Sequence, residues 1–348
     1  MAQAVIVTPA LADANNGNWR TAQRWARFLA PVCRTRLVKT WPDAEAAKDT
    51  VMIALHARRS AASIAAWSRC RGGGSLAVVL TGTDLYRDIH DDSSAQQSLA
   101  LADTLVALQE RGPAVLPPEC RAKCRIIFQS VSGRRCLPKT GRHLRALMVG
   151  HLREEKSPET LFAAARLLRP EEGILIDHVG GALDAELAEA ARAAMADCPH
   201  YRWLGSRPHE ETRRRIQRAH ILVHSSRMEG GAHAILEAAA SGTPVLATRI
   251  DGNVGLLGDD YGGYFEWGDA AGLADLLRRC RASQNASASF LQSLGAQIGK
   301  RTPLFSTLSE QSAVRQLVAD LGRAAAQKGV DCHEQEHRFF RDPVPPAG

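Results

Sequence analysis

Residues 219–242 constrain this chain more than any other segment. An apolar run, residues 219–224, reads as a strand, and Ser225-Ser226-Arg227-Met228-Glu229-Gly230-Gly231 follows as a turn. Ala232-His233-Ala234-Ile235-Leu236-Glu237-Ala238 then opens an Ala-rich helical run that stops near Gly242, with Pro244 just beyond. A strand, a glycine turn and a helix in immediate succession form a βα unit of a parallel sheet. Such a junction directs free backbone N–H groups and the positive helix end at one spot, which suits a phosphate. Glu229 lies in the turn and Glu237 about two turns into the helix. Two carboxylates therefore flank the expected cradle, where they can hold sugar hydroxyls. The same pattern also describes a buried βα unit with solvated glutamates.

The alternation repeats along the chain. Residues 4–8, 51–55, 76–80, 104–108 and 126–128 read as buried strands, separated by polar loops and Ala-rich helical runs. Beyond them come strands at 174–179 and 245–248, and a helix at 209–218. Residues 129–141, rich in Ser, Gly, Arg and Pro, read as a linker. A chain of 348 residues exceeds what one core usually supports. The expected fold is α/β, with two doubly wound Rossmann-like domains. The domains run over residues 1–135 and 141–300, followed by a helical segment at 301–328 that returns to the first domain and a disordered tail at 329–348.

In open α/β sheets, ligands bind at the carboxyl ends of strands. In the first half this singles out the loop Asn15-Asn16-Gly17-Asn18 before a helix at 19–29. It also singles out His56-Ala57-Arg58-Arg59-Ser60 after the second strand and Thr81-Gly82-Thr83-Asp84 after the third. Two arginines there can grip an anion as planar forks. Asp84 can equally cap a loop.

The formal net charge of +7 favours anionic ligands. Nucleic acid is disfavoured by 5% aromatic content and the lack of a stacking motif. No Gly-x-Gly-x-x-Gly follows the first strand, which argues against a dehydrogenase. No apolar run reaches membrane-spanning length and residues 1–10 lack the pattern of a secretory leader, so a cytoplasmic protein without stable membrane insertion is expected. The 8 cysteines lack paired zinc spacing and no Asp-x-Asp triplet occurs, so neither a metal nor another cofactor is expected. Oligomeric state is not legible.

The acid, the Gly-Gly pair, the second acid after seven intervening residues and Gly242-Thr243-Pro244-Val245 resemble the donor-binding signature of GT-B glycosyltransferases. The likeness is to the retaining, glycogen-synthase-like type (family 4). The resemblance implies that Glu229 contacts the transferred sugar, that Glu237 binds the nucleotide ribose and that the amides of Gly230, Gly231 and Ala232 hold the diphosphate. Gly150-His151-Leu152-Arg153-Glu154-Glu155-Lys156 resembles the family's Gly-Arg-Leu segment, which places Lys156 on the diphosphate. His151 stands where the family has Arg, so Arg153 is expected to supply the missing charge. Ser206 and Arg207, after the strand that meets the base, join the donor set. The first domain is implied to be the acceptor side, across a cleft. Thr83-Asp84 replaces the family's His-Asp there, leaving the usual sugar contact open.

A narrower likeness runs through both halves: His56-Ala-Arg-Arg-Ser, Leu80-Thr-Gly-Thr-Asp-Leu-Tyr, Gln129-Ser and Gly150-His-Leu-Arg-x-x-Lys are similar to the selenosugar synthases, a branch of this family. That resemblance implies transfer of a sugar from a UDP-sugar, such as UDP-N-acetylglucosamine, to selenophosphate in selenoneine biosynthesis. Acceptor binding would then fall on Asn16, Gly17, Asn18, His56, Arg58, Arg59, Thr81, Thr83 and Asp84. Catalysis would fall on Lys156, Arg153 and Glu229. Selenophosphate is already an anionic, soft nucleophile and needs little help from a base. Transfer to a sugar or lipid hydroxyl and non-catalytic nucleotide-sugar binding remain the alternatives.

Overall fold

The computed structural model describes residues 3–11, 17–286 and 289–339, with side chains up to residue 327. The chain divides into two compact units: residues 1–107, 115–127 and 311–348, and residues 108–114 and 128–310.

The first unit is a six-stranded parallel sheet, β1 (Gln3–Val7), β2 (Arg34–Val38), β3 (Val51–Leu55), β4 (Leu76–Val79), β5 (Thr104–Ala107) and β6 (Cys124–Ile126). Its strand order is β2-β1-β3-β4-β5-β6. β1, β3, β4 and β5 are buried along their whole length, as expected of strands covered on both faces. Val5, Val7, Met52, Ala54, Val78 and Leu105 form the centre of its core, with Trp41 set edge-on to Trp67 at 4.9 Å. β2, written Arg-Thr-Arg-Leu-Val, lies at the sheet's edge and was not among the expected strands. An edge strand has no need of a continuous apolar run.

The second unit repeats the plan with β7 (Leu144–Val149), β8 (Ile174–Val179), β9 (Tyr201–Trp203), β10 (Ile221–His224), β11 (Val245–Thr248) and β12 (Tyr264–Phe265). The order is β12-β11-β10-β7-β8-β9, again all parallel. Helices Glu159–Leu167, Ala185–Asp197, His209–Arg218 and Ala270–Ala282 cover the sheet with apolar faces.

Three boundaries differ from expectation. The segment 129–141 is not a free linker: it has no helix or strand but is laid along the second unit. Arg213 donates to the Ser132 hydroxyl at 2.8 Å, Gln217 to the Arg135 carbonyl at 2.8 Å, and Arg134 N–H to the Ala240 carbonyl at 2.8 Å. Residues 108–114 also join the second unit, where Arg301 pairs with Glu110 at 2.7 Å. The closing helix runs Thr307–Phe339, well into the segment expected as a tail, and from residue 311 belongs to the first unit. Arg315 anchors it there by donating to the Phe28 carbonyl at 2.8 Å.

Candidate functional site

In each sheet one strand marks where the chain reverses its direction of winding. In the second unit β7 has β8 on one side and β10 on the other, so the loops after β7 and β10 diverge and leave a crevice at their carboxyl ends. Those loops are Gly150–Ser157 and Ser225–Gly231 by number, the two motifs singled out above.

The loop after β7 is held close to its neighbours. A methyl group on Gly180 would lie 1.8 Å from the Gly150 carbonyl oxygen, so only glycine fits there. His178, fully buried, contacts that same carbonyl through Nε2 at 3.0 Å and the Tyr201 hydroxyl through Nδ1 at 3.1 Å. Burial pushes His178 down to about 4, with His151 adding to the effect, so its ring is neutral. His151 accepts the Gly181 N–H through Nδ1 at 3.0 Å, and Gly181 packs against Ser206. His151 and Ser206 thus both flank Gly181, past the ends of β7, β8 and β9.

The chain then turns through Glu154–Lys156 to Ser157, whose φ of 44° lies in the left-handed region. Ser225 donates to the Lys156 carbonyl at 3.1 Å, Arg227 N–H to the Glu155 carbonyl at 2.9 Å, and Trp267 Nε1 to the Ser157 hydroxyl at 3.0 Å. The Arg227 guanidinium sits 5.4 Å over the Trp267 ring and ion-pairs with Glu154 at 2.5 Å. The turn is therefore fastened to the loop after β10 on both sides.

This fastening aims the Lys156 ammonium at Glu229, with which it forms an ion pair. Ser226 donates to the same Glu229 oxygen at 2.6 Å, and His224 Nε2 lies 3.1 Å from it. Burial alone would raise the Glu229 carboxyl, but the Lys156 charge and the His224 hydrogen bond hold it far below the usual carboxylate range. His224 is pushed down by burial despite its acidic neighbour. The result is a fixed carboxylate, a cation and a neutral imidazole within one buried corner. Gly252 closes that corner from below, since a methyl there would lie 2.0 Å from the Glu229 carbonyl oxygen.

The remaining donor-side residues are less uniform. Gly230 and Gly231 lie in the turn before the helix His233–Ala239, with Ala232 as its cap. Glu237 is buried on that helix and meets His209 Nε2 at 2.6 Å. Arg153 is exposed and faces Glu155 at 3.8 Å; Arg207 is exposed and faces Glu211 at 3.9 Å.

In the first unit the reversal falls at β1, so the loops after β1 and β3 diverge. Asn16 lies outside the described residues; Gly17 and Asn18 form the first turn of the helix Gly17–Leu29. His56, buried with φ of 74°, begins the loop after β3. Its Nδ1 accepts the Arg59 N–H at 3.3 Å, which leaves the proton on Nε2, 3.1 Å from the Thr83 hydroxyl. Burial lowers its pKa, opposed by Asp84 and Asp88. Asp84 does not face outward as a ligand group. Fully buried, it accepts backbone N–H groups of Thr81 at 2.8 Å, Gly82 at 2.9 Å and Ala57 at 2.9 Å, because three orphan amides converge on it. Arg58 and Arg59 are both exposed, and Arg58 is engaged by Asp88 at 3.2 Å.

Sequence reasoning missed His224, Ser226, His209, Trp267 and Asp88. Asp88, one helical turn after Asp84, was the most readable of these, and His224 was hidden at the end of an apolar strand. Among the described residues no group of three His, Cys, Asp or Glu side chains can hold a metal, and no helix is long and apolar enough to cross a membrane.

Residues 134–292 match the family model described as glycosyl transferases group 1. No curated protein matches the chain. Among solved structures, sucrose-phosphate synthase from Thermosynechococcus elongatus superposes with a TM-score of 0.72 at 17% identity, over 93% of this chain and 100% of that one. Anabaena HepE in complex with UDP gives 0.68 at 13% identity, over 92% and 99%. S. aureus TarM, in a complex that includes UDP, gives 0.58 at 14% identity over 78% of this chain, which spans only 55% of TarM. At these identities the likeness speaks for the fold.

Proposed function

We propose, for a chain that has the GT-B fold and carries a glycosyl transferases group 1 domain over residues 134–292, that it transfers a sugar from a UDP-sugar to selenophosphate. The observation that carries the donor half is the Lys156–Glu229 pair at the winding reversal of the second sheet, where α/β proteins bind ligands. UDP in the HepE and TarM structures supports the nucleotide.

The reaction is a substitution at the anomeric carbon. Selenium supplies an electron pair to form the C–Se bond as the bond from C1 to the β-phosphate oxygen breaks and UDP departs. Water then cleaves the Se–P bond, releasing phosphate and leaving the selenosugar. Charge grows on the diphosphate as it leaves, and Lys156 is the cation set to meet it. Glu229, anchored by Ser226 and His224, stays in place when Lys156 turns to the phosphate, and its carboxylate faces the sugar. Glu237 takes the ribose hydroxyls once His209 yields it.

The acceptor half rests on the resemblance of His56-Ala57-Arg58-Arg59-Ser60 to the selenosugar synthases and on how the first unit uses its titratable groups. A hydroxyl acceptor needs a base. Asp84 is committed to backbone amides, and His56 presents a proton at Nε2 rather than a lone pair. An anionic nucleophile has no such need, and exposed Arg59 offers it a fork. Transfer to a hydroxyl is the second reading, with Asp88 as its base. The two are separated by following UDP release from UDP-N-acetylglucosamine with selenophosphate or with a panel of neutral sugars. Release that depends on selenophosphate supports the proposal; release that depends only on a neutral sugar replaces it with the second reading.

A further inference from the structure

The amino-terminal edge of the second sheet holds two adjoining cavities of about 300 and 340 Å3 that share Arg145 and Arg218 as walls. Arg145 stands at the start of β7 and Gly150 just past its end, so about 16 Å of strand separates this edge from the Lys156 corner. The first cavity is lined by Arg145, Arg214, Arg215 and Arg218 with the carboxylates Asp177 and Glu211. Arg215 meets both of them, at 3.7 and 2.9 Å. The second is lined by Lys139, Arg145, Arg218 and His220, and among the described residues no carboxylate lines it.

We propose that these cavities form a second anion site, which takes a small phosphate-bearing molecule and is separate from the donor site. The composition of the second wall carries the case furthest: Lys139, Arg145 and Arg218 converge on it, and among the described residues none of its lining groups is acidic. Lys139, half-buried, reaches the Thr243 hydroxyl through Nζ at 3.3 Å, and burial lowers it to about 8, in keeping with a cation short of counter-charge. Arg145 donates from Nε to His143 Nε2 at 3.0 Å rather than to a carboxylate. Burial lowers both His143 and His220, and the surrounding cations, Arg145 for both and Lys139 for His220, push the same way. His220 lines the second cavity, and His143 is tied to its wall through the Arg145 hydrogen bond, so both rings report on the cations there. The cavity volumes suit a small molecule rather than a macromolecule, and the fork geometry of Arg145 and Arg218 suits phosphate oxygens.

The probe is inorganic pyrophosphate, titrated into the full chain while the His143 and His220 rings are followed by NMR. A bound anion offsets the cations, so both rings should titrate at higher pH when it is present. Combined Arg145→Ala and Arg218→Ala replacement should weaken the response at least about tenfold, while Lys156→Ala should leave it intact. Rings that do not move at millimolar pyrophosphate overturn the proposal. So does a response abolished by Lys156→Ala but kept in the double variant, which assigns it to the donor site. Binding of anionic phospholipid vesicles or single-stranded RNA at this face, with no response to pyrophosphate, also overturns it.

Discussion

Lys156 and Glu229, 73 residues apart in sequence, close on each other as an ion pair between the loops after β7 and β10. Their side chains are only 16% and 10% exposed, so neither charge is well solvated without the other. Two motifs that read separately in the sequence are one electrostatic unit in the fold. Lys156→Ala leaves a buried carboxylate without its cation, an arrangement that typically costs about 3–5 kcal/mol. Denaturant unfolding of Lys156→Ala should show a loss of that order, reduced when Glu229→Gln is added. At saturating UDP-sugar the single variant should also turn over far more slowly, because charge on the leaving group grows in the transition state. Turnover near wild type would remove Lys156 from the diphosphate role.

Glu237 and His209 should act in opposite directions. If Glu237 takes the ribose hydroxyls as proposed, Glu237→Ala removes a charged hydrogen bond and should weaken UDP binding by roughly 1.5–3 kcal/mol in calorimetry. His209→Ala removes the group that holds Glu237 at 2.6 Å before the nucleotide arrives, so UDP affinity should hold or improve. Equal losses in both variants would mean that the His209–Glu237 contact itself is part of the nucleotide site.

Acid should loosen the fold before its carboxylates titrate. His178, at about 4 against an ordinary 6.5, and His224, His56 and His220, all lowered chiefly by burial, are neutral when folded. Between pH 6.5 and 4 the unfolded chain therefore binds more protons than the folded one, and stability falls as pH falls. Each such ring contributes a slope of up to about 1.4 kcal/mol per pH unit. Urea unfolding between pH 7 and pH 5 should show this decline, and His178→Gln should flatten it. A pH-independent midpoint in that interval contradicts the assignment of buried neutral rings.

Trp267 is 53% exposed, yet it braces the left-handed Ser157 through Nε1 and stacks under Arg227. Trp267→Ala should lower kcat with little change in UDP affinity, because it loosens the turn that aims Lys156. Trp267→Phe, which keeps the ring but not the N–H, should fall between. Steady-state kinetics on the pair checks this; identical kcat values in wild type and Trp267→Ala would leave the indole without a positioning role.

Much of the fold was legible because buried parallel strands are written as continuous apolar runs: residues 51–55 and 245–248 coincide with β3 and β11. β2 was not, since an edge strand tolerates Arg34 and Arg36. The docking of 129–141 was hidden because it depends on Arg213 and Gln217, some 80 residues downstream. At the site, each motif was visible but not its partner: His209 on Glu237 and Asp88 on Arg58 are tertiary facts. Asp84 shows the limit plainly, as ligand and loop cap share one pattern and only the three converging amides decide between them.

The central claim is that the sugar ends on selenium. The direct measurement is mass spectrometry of the product formed from UDP-N-acetylglucosamine and selenophosphate, with EDTA present because no metal is assigned a role. The account predicts a sugar product with the selenium isotope pattern, formed together with UDP and dependent on Lys156. A selenium-free product, activity that returns only when magnesium or manganese is restored, or no consumption of the UDP-sugar until a hydroxyl acceptor is supplied would contradict it.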